Sequence, residues 1–225
     1  MKVCVVIPTF NESKTIGRLI DDIKALNLNL DILVVDDGSR DDTSDIAIVH
    51  GAKVLKNAKN EGKGASLIKG FTYVLQNNFD AAIAMDGDGQ HLAQDLPLFV
   101  RRAESSDSQI FVGNRMKAVK NMPLVRILTN RFMSWLISAI TKQKISDTQC
   151  GFRLIKREAL EKIKLSSTKY EIESEILIKC SRLGFKIESV PIKTVYGLEI
   201  SRINPLRDTF RFIAFILKET WILRS

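Results

Sequence analysis

The chain has 225 residues, 45% hydrophobic and 27% charged, a globular balance that excludes a disordered or collagen-like chain. That length suits one substantial domain that needs neither a disulfide framework nor a zinc staple. The net charge of +8 is uneven: residues 1–112 carry 12 basic and 16 acidic side chains, residues 113–170 carry 13 and 3, and residues 171–225 carry 9 and 7.

Val3–Ile7 reads as a buried strand. The spacing of Ile16, Leu19, Ile20, Ile23 and Leu26 predicts a helix over 16–26. Ile32–Val35 is a second strand that runs into Asp36-Asp37-Gly38-Ser39. A short helix at Thr43–Val49, a strand at Lys53–Leu55 and a helix over Gly64–Gln76 follow. Ala81–Met85 is a strand ending at Asp86, Leu96–Ala103 a helix, and Ile110–Val112 a fifth strand. Continuous apolar strands alternating with helices predict an α/β fold with a mostly parallel sheet flanked by helices.

The second half differs. Pro123–Ile140 predicts a long apolar helix with a narrow polar stripe at Arg126, Asn130, Ser134 and Ser138. A short strand at Phe152–Ile155, a helix over Ile172–Leu183 and a strand at Lys186–Val190 follow. The tail Pro205–Leu223 is apolar with basic flanks and Trp221 near its end. No apolar stretch reaches the roughly 18–20 residues of a spanning helix, and no secretory leader is visible. The expected place is the cytosol or the cytosolic face of a membrane. Cys4, Cys150 and Cys180, with only His50 and His91, read as free buried thiols rather than a zinc site.

In an open parallel sheet, ligands bind beyond the carboxyl ends of the strands. Three such ends here are polar: Pro8-Thr9-Phe10-Asn11-Glu12, Asp36-Asp37-Gly38-Ser39, and Asp86-Gly87-Asp88-Gly89-Gln90-His91. Asp86 and Asp88, two apart in a turn, can both face a divalent cation, with Gln90 as a third oxygen. Hard oxygen ligands suit Mg²⁺ or Mn²⁺. Asp36 stands where a carboxylate can take a ribose or base hydrogen bond. The G-x-G-x-x-G fingerprint is absent, which argues against a dinucleotide redox enzyme. Gly62-Lys63-Gly64 lacks the Walker order, so its glycines read as a turn and a close packing point at a helix start.

Taken together, VIPTFNE (6–12), VVDDGSRDDT (34–43), NEGKGAS (60–66) and AMDGDGQH (84–91) resemble the family 2 nucleotide-sugar glycosyltransferases of GT-A fold. GNR (113–115), DTQCGFR (147–153), EILIK (175–179) and VPI (190–192) resemble their polyprenyl-phosphate branch. The resemblance runs over roughly residues 3–202. It implies a Rossmann-like catalytic domain over 1–204; residues 205–225 beyond it read from their own composition as an amphipathic basic tail, for a membrane surface or for packing on the domain. Pro8, Phe10, Asn11 and Glu12 then match the nucleotide segment, with Phe10 where tyrosine is frequent. Asp36 and Asp37 match the acids for base and ribose, and Asp86, Asp88 and Gln90 the metal ligands. Arg115, Arg126, Arg131 and Arg202 match phosphate-binding positions, with Asp88, Arg115 and Arg126 carrying catalysis.

The implied reaction is inverting transfer of a sugar from a nucleotide donor to a polyprenyl phosphate. A phosphate acceptor needs cations rather than a base, and Arg115, Arg126, Arg131, Arg153 and Arg202 are the candidates. A hydroxyl acceptor, the alternative, needs a carboxylate base. The Glu-Asp pair and Q-x-x-R-W that polymerising relatives place there are absent from 140–185. Glu171 and Glu173 read as a solvated helix entry near the N-terminal dipole, and Glu175 as a position that orients the site. Pro123–Ile140 has two readings, a core helix or a helix lying in a membrane interface, and the tail has the same two. Nucleic acid is not expected, because the basic residues lie among apolar stretches rather than stacking aromatics. A membrane-anchoring partner or a homo-oligomer stays open.

Overall fold

The protein's structure, a computed structural model, describes residues 1–117, 124–193, 211–217 and 219. The order is β1 (Val3–Thr9), α1 (Ile16–Lys24), β2 (Leu30–Asp36), α2 (Thr43–Val49), β3 (Lys53–Lys56), α3 (Lys63–Gln76), β4 (Ala81–Ala84) and α4 (Leu96–Ser105). There follow β5 (Ile110–Asn114), α5 (Leu124–Thr141), β6 (Arg153–Lys156), α6 (Arg157–Lys162), α7 (Ile172–Arg182) and β7 (Ile187–Pro191). The elements expected from sequence are present, with ends shifted by a few residues; α6 is an addition.

The seven strands form one sheet in the order β3-β2-β1-β4-β6-β5-β7. β1 is paired on both sides, parallel to β2 and to β4. Its residues from Val3 to Ile7 are fully buried, which explains an apolar run with no alternation. Chain order reverses at β1, so a crevice opens between the ends of β1 and β4, the switch point of an open α/β sheet.

The expected parallel sheet has one exception. β6 runs antiparallel to both β4 and β5. After β5, α5 and the loop that follows return the chain to the carboxyl edge, where Arg153 pairs with Ala84 at the end of β4. β6 must then run the opposite way, and the 147–152 loop stays beside the end of β4.

Two glycines act as expected, with a partner now visible. Gly62 has φ +107°, and a Cβ on it would lie 2.4 Å from the Thr168 carbonyl oxygen. A Cβ on Gly64 would lie 2.2 Å from the Ser167 carbonyl oxygen. The start of α3 therefore lies directly against the 166–169 loop, and Ala65 N–H donates to Thr168 O at 3.2 Å. Glu175, fully buried on α7, holds that loop: it accepts from Ser166 N–H at 3.0 Å, Ser167 N–H at 2.8 Å and Lys179 Nζ at 2.5 Å. Residues 211–217 of the tail are helical, and Phe212 and Ile216 are buried in the same core. Arg182 donates to Glu219.

Burial pushes the Glu175 carboxyl up, but the Lys179, Ser167 and Ser166 donors outweigh it and hold it below the usual range. A lowered folded value stabilises above the unfolded value near pH 4.3 and is lost as pH falls through the folded one. Glu175→Gln is therefore expected to cost about 2 kcal/mol at pH 7. Urea titrations of both proteins from pH 7 to pH 3 should show that deficit shrinking below about pH 4.

Candidate active site

The loops after β1 and β2 are fastened together. Asn11, at φ 55°, donates its N–H to Ser39 Oγ at 2.8 Å, and its Oδ1 accepts from Arg40 N–H at 2.9 Å. Glu12 N–H donates to Thr43 Oγ1 at 2.9 Å and Ser13 N–H to Asp41 Oδ2 at 3.2 Å. Thr15 Oγ1 reaches across the crevice to Gly87 O at 2.7 Å, tying the β1 loop to the turn after β4.

Asp36 and Asp37 are turned inward. Asp36 is fully buried and accepts from Ser39 N–H at 2.8 Å and from Ser44 Oγ, with Lys56 Nζ at 3.7 Å. Asp37 accepts from Asn57 Nδ2 at 2.9 Å and from the N–H groups of Glu61 and Gly62, both at 2.8 Å. These carboxylates hold the loops that frame the crevice. Pro8, Phe10, Asn11 and Glu12 lie half-buried along its β1 side.

In the turn after β4, Asp86 and Asp88 are half-buried, and Asp88 Oδ1 accepts from Gln90 N–H at 3.0 Å. Asp86 meets a cation: Lys63 Nζ lies 2.5 Å from its Oδ1 and 2.7 Å from Glu173 Oε1. Glu173 in turn lies 3.9 Å from Arg153 Nη2. Four side chains of alternating charge, Asp86, Lys63, Glu173 and Arg153, thus run from the acid turn past the start of α7 to β6. Burial pushes Asp86 up, but Lys63, His91 and Arg115 hold it down at about 2, so it is ionised. Burial alone lowers Lys63, but Asp86 and Glu173 raise it above its ordinary value, so it stays charged. His91 is pushed down to about 4, chiefly by burial; its Nδ1 accepts from Asp86 N–H at 3.3 Å. Gly151 completes the wall, since a Cβ there would lie 2.7 Å from Asp86 Oδ2 and 2.8 Å from Lys63 Nζ.

One of the arginines needs correction. Arg153, offered from sequence as an acceptor-phosphate cation, is 1% exposed. Its Nε donates to Cys150 O and its Nη2 to Thr148 O, both at 2.7 Å, and its Nη1 to Glu173 O. It is a scaffold for the 147–151 loop. Arg115 makes a two-pronged pair with Asp147, Nε to Oδ2 at 2.7 Å and Nη2 to Oδ1 at 2.9 Å, and both are buried. Arg131 is exposed on α5. The Arg126 side chain and Arg202 lie outside the described residues. Glu173, read as a solvated helix entry, is instead 7% exposed and paired. Lys63 has no role in the sequence expectation, which assigns one only to the glycines on either side of it. Its signal was available: a lysine between two glycines, pinned where the backbone packs most closely.

Asp86, Asp88 and Gln90 fit a hard divalent ion. They offer two carboxylates and an amide oxygen, and Asp86 already accepts a cation. Among the described residues, no three His, Cys, Asp or Glu side chains converge to hold an ion alone. Asp86 and Asp88 would therefore share it with Gln90 and with oxygens of a ligand. Among the described residues, two buried polar atoms, Thr9 Oγ1 at the end of β1 and Asn130 Nδ2 on α5, have no hydrogen-bond partner. The three thiols are buried and pushed up to about 12 by burial, which makes them poor nucleophiles.

A mostly parallel sheet with an acid turn at its switch point is the GT-A arrangement of glycosyltransferases. The profile of Glycosyl transferase family 2 matches residues 4–164, and the chain belongs to that family. It is 31% identical over 200-odd residues to an undecaprenyl-phosphate mannosyltransferase of Micrococcus luteus, covering 87% of this chain and 84% of that one. It is 29% identical to a UDP-N-acetylglucosamine–dolichyl-phosphate N-acetylglucosaminyltransferase of Methanococcus voltae, covering 85% of each. In fold it matches glucosyl-3-phosphoglycerate synthase of Mycobacterium tuberculosis, solved with Mn²⁺ and UDP-glucose. That match has a TM-score of 0.75 and 23% identity, covering 97% of this chain and 78% of that one.

Lys63→Met leaves Asp86 and Glu173 without their shared cation. It is expected to lower unfolding free energy by about 3 kcal/mol, as loss of one partner of a buried pair does. Lys162→Met, which breaks an exposed pair with Glu158, should cost under about 1 kcal/mol. Chemical denaturation of the two variants side by side checks the contrast.

Proposed function

We propose that this glycosyltransferase moves one sugar from a nucleotide-sugar donor to a polyprenyl phosphate, inverting the anomeric centre and using Mg²⁺ or Mn²⁺. The product is a lipid-linked monosaccharide for glycan assembly, made by a catalytic domain over 1–204 working peripherally on the cytosolic face of a membrane. Both named relatives carry a polyprenyl or dolichyl phosphate in their names, which supports the acceptor class. The fold neighbour was solved with a divalent ion and a nucleotide sugar, which supports the donor and the metal. Among the described residues, no helix is long and apolar enough to cross a membrane.

One observation supports the choice of acceptor. Of the carboxylates that the sequence places on the acceptor side, Asp147, Glu173 and Glu175 are each occupied by a cation at 2.7 Å or less, and Glu171 stands at the N-cap of α7. A hydroxyl acceptor needs a carboxylate prepared to take its proton. These three are committed elsewhere, whereas a phosphate acceptor arrives already ionised and asks only for positive charge.

The proposed roles are these. The divalent ion, when bound at Asp86, Asp88 and Gln90, neutralises the departing nucleotide diphosphate. The paired loops after β1 and β2 hold the nucleoside along Pro8, Phe10, Asn11 and Glu12, framed by Asp36 and Asp37. Among the described residues, Thr9 Oγ1 and Asn130 Nδ2 are buried polar groups left for a partner from outside the chain. Lys63 keeps Asp86 ionised. Arg115, fixed by Asp147, sets positive charge beside the acid turn, and by the family resemblance Arg126, Arg131 and Arg202 are the cations for the phosphates.

A panel of labelled nucleotide sugars, incubated with polyprenyl phosphate and Mg²⁺ or Mn²⁺, should put label into organic-extractable lipid. Label confined to soluble saccharides would sink the acceptor assignment. Chelation should stop transfer and added divalent ion restore it. Asp88→Ala should reduce transfer by about a hundredfold or more while leaving the thermal melt in place.

A further inference from the structure

The acid turn begins and ends in the core. Gly87 and His91 are buried, whereas Asp88 and Gln90 between them are half-buried and Gly89 is exposed. The segment 87–90 thus bulges outward from a neck formed by Asp86 and His91. His91 closes that neck: it is 4% exposed, and its Nδ1 accepts from Asp86 N–H at 3.3 Å. A backbone N–H can only donate, so Nδ1 is the acceptor and the ring proton sits on Nε2.

Nε2 lies 4.0 Å from Cys150 Sγ, and Sγ lies 4.0 Å from Phe152 O. One direction of donation satisfies all three contacts. Asp86 N–H gives to Nδ1, Nε2–H to Sγ, and S–H to the Phe152 carbonyl. Each sulfur contact is weak alone, and packing reinforces them. The His91 ring lies 5.2 Å from that of Phe152, which stacks on Phe99 at 4.4 Å. A Cβ on Gly113 would lie 2.8 Å from Cys150 Sγ, so β5 presses on the thiol from behind. Asp86 is thereby held at two points: Lys63 takes its carboxylate at 2.5 Å and His91 its backbone N–H. The proposed reaction otherwise uses neither the imidazole nor the thiol.

We infer that His91 is a positioning residue for the divalent ion: protonated on Nε2 and backed by Cys150, it closes the neck of the turn and so fixes Asp86, Asp88 and Gln90 at the spacing one ion needs. The inference rests on the metal reading of the acid turn and deepens it. A turn fixed beforehand loses little freedom when it binds. Contacts that orient metal ligands from behind are worth about 10–100-fold in metal affinity. A histidine that merely filled the core could give way to an apolar side chain with no effect on that affinity.

The ring and the ion are measured separately on the full chain. The chain has two histidines, His50 and His91, so comparison with His50→Gln assigns the His91 ring in long-range proton–nitrogen NMR spectra. The expected result is a neutral ring protonated on Nε2. A ring protonated on Nδ1 overturns the inference, with no variant needed. Mn²⁺ is then titrated in, alone and with UDP or GDP, and the free ion is read by electron paramagnetic resonance. His91→Leu, which removes the acceptor, should weaken Mn²⁺ binding about tenfold or more. His91→Asn, whose Oδ1 stands in for Nδ1, should stay within about threefold of the parent. Cys150→Ala should fall between them, and it decides if His91→Leu does not fold. A folded His91→Leu that binds Mn²⁺ like the parent overturns the inference, as does a His91→Asn no better than His91→Leu. A parent that binds no Mn²⁺ under any of these conditions overturns the metal reading itself and this inference with it; a loss confined to the variants leaves that reading standing.

Discussion

The ammonium of Lys63 joins carboxylates from opposite halves of the chain, Asp86 after β4 and Glu173 on α7. Isolated charges at this depth would cost several kcal/mol each, and alternation of sign is what lets them stay ionised. Much of the surrounding architecture serves that geometry. Gly62 and Gly64 let α3 begin hard against the 166–169 loop, which brings Lys63 to its place. Gly151 leaves the volume that the Lys63–Asp86 pair fills. Arg153 gives its donors to three carbonyls and so fixes the loop carrying Gly151. The antiparallel course of β6 is what puts that loop beside the acid turn at all.

The two faces of α5 divide the labour differently from an ordinary surface helix. Its hydroxyls and amide pack inward against a loop rich in polar groups, beside the buried Ile137, while Leu124, Val125, Leu128, Phe132 and Trp135 are exposed. Leaving five such side chains uncovered forgoes about 1.5–3 kcal/mol apiece of burial. Folding alone does not favour that arrangement.

Much of this was legible in the sequence, and the exceptions have physical reasons. The apolar run Val3–Ile7 and the polar strand ends at 8–12, 36–39 and 86–91 located the strands and their functional edge. Period and composition carry no direction, so β6 at Arg153–Lys156 could not be seen to run backwards. Composition also treats every arginine alike. Arg153, counted among the basic residues of the middle segment, is one of the most buried side chains in the protein. The polar stripe of α5 was visible at four-residue spacing, but which side faced inward depended on the polar 145–149 loop. Lys63 was hidden by the stronger signal of its flanking glycines. Asp36 and Asp37, placed at the nucleotide by resemblance, spend their oxygens on the framing loops.

The strand order also sets a timetable for the growing chain. β1 to β4 form one contiguous half of the sheet, complete once residue 84 has been made. β5, made next, has no partner in that half, because its neighbours are β6 and β7. The free flank of β4 waits until residues 153–156 arrive, and only then do the halves become one sheet. A nascent chain stopped before that point carries an apolar edge with its hydrogen bonds unmade, the feature that invites pairing with another chain. The late strand that positions the acid turn is thus also the one that seals the sheet against its neighbours during synthesis.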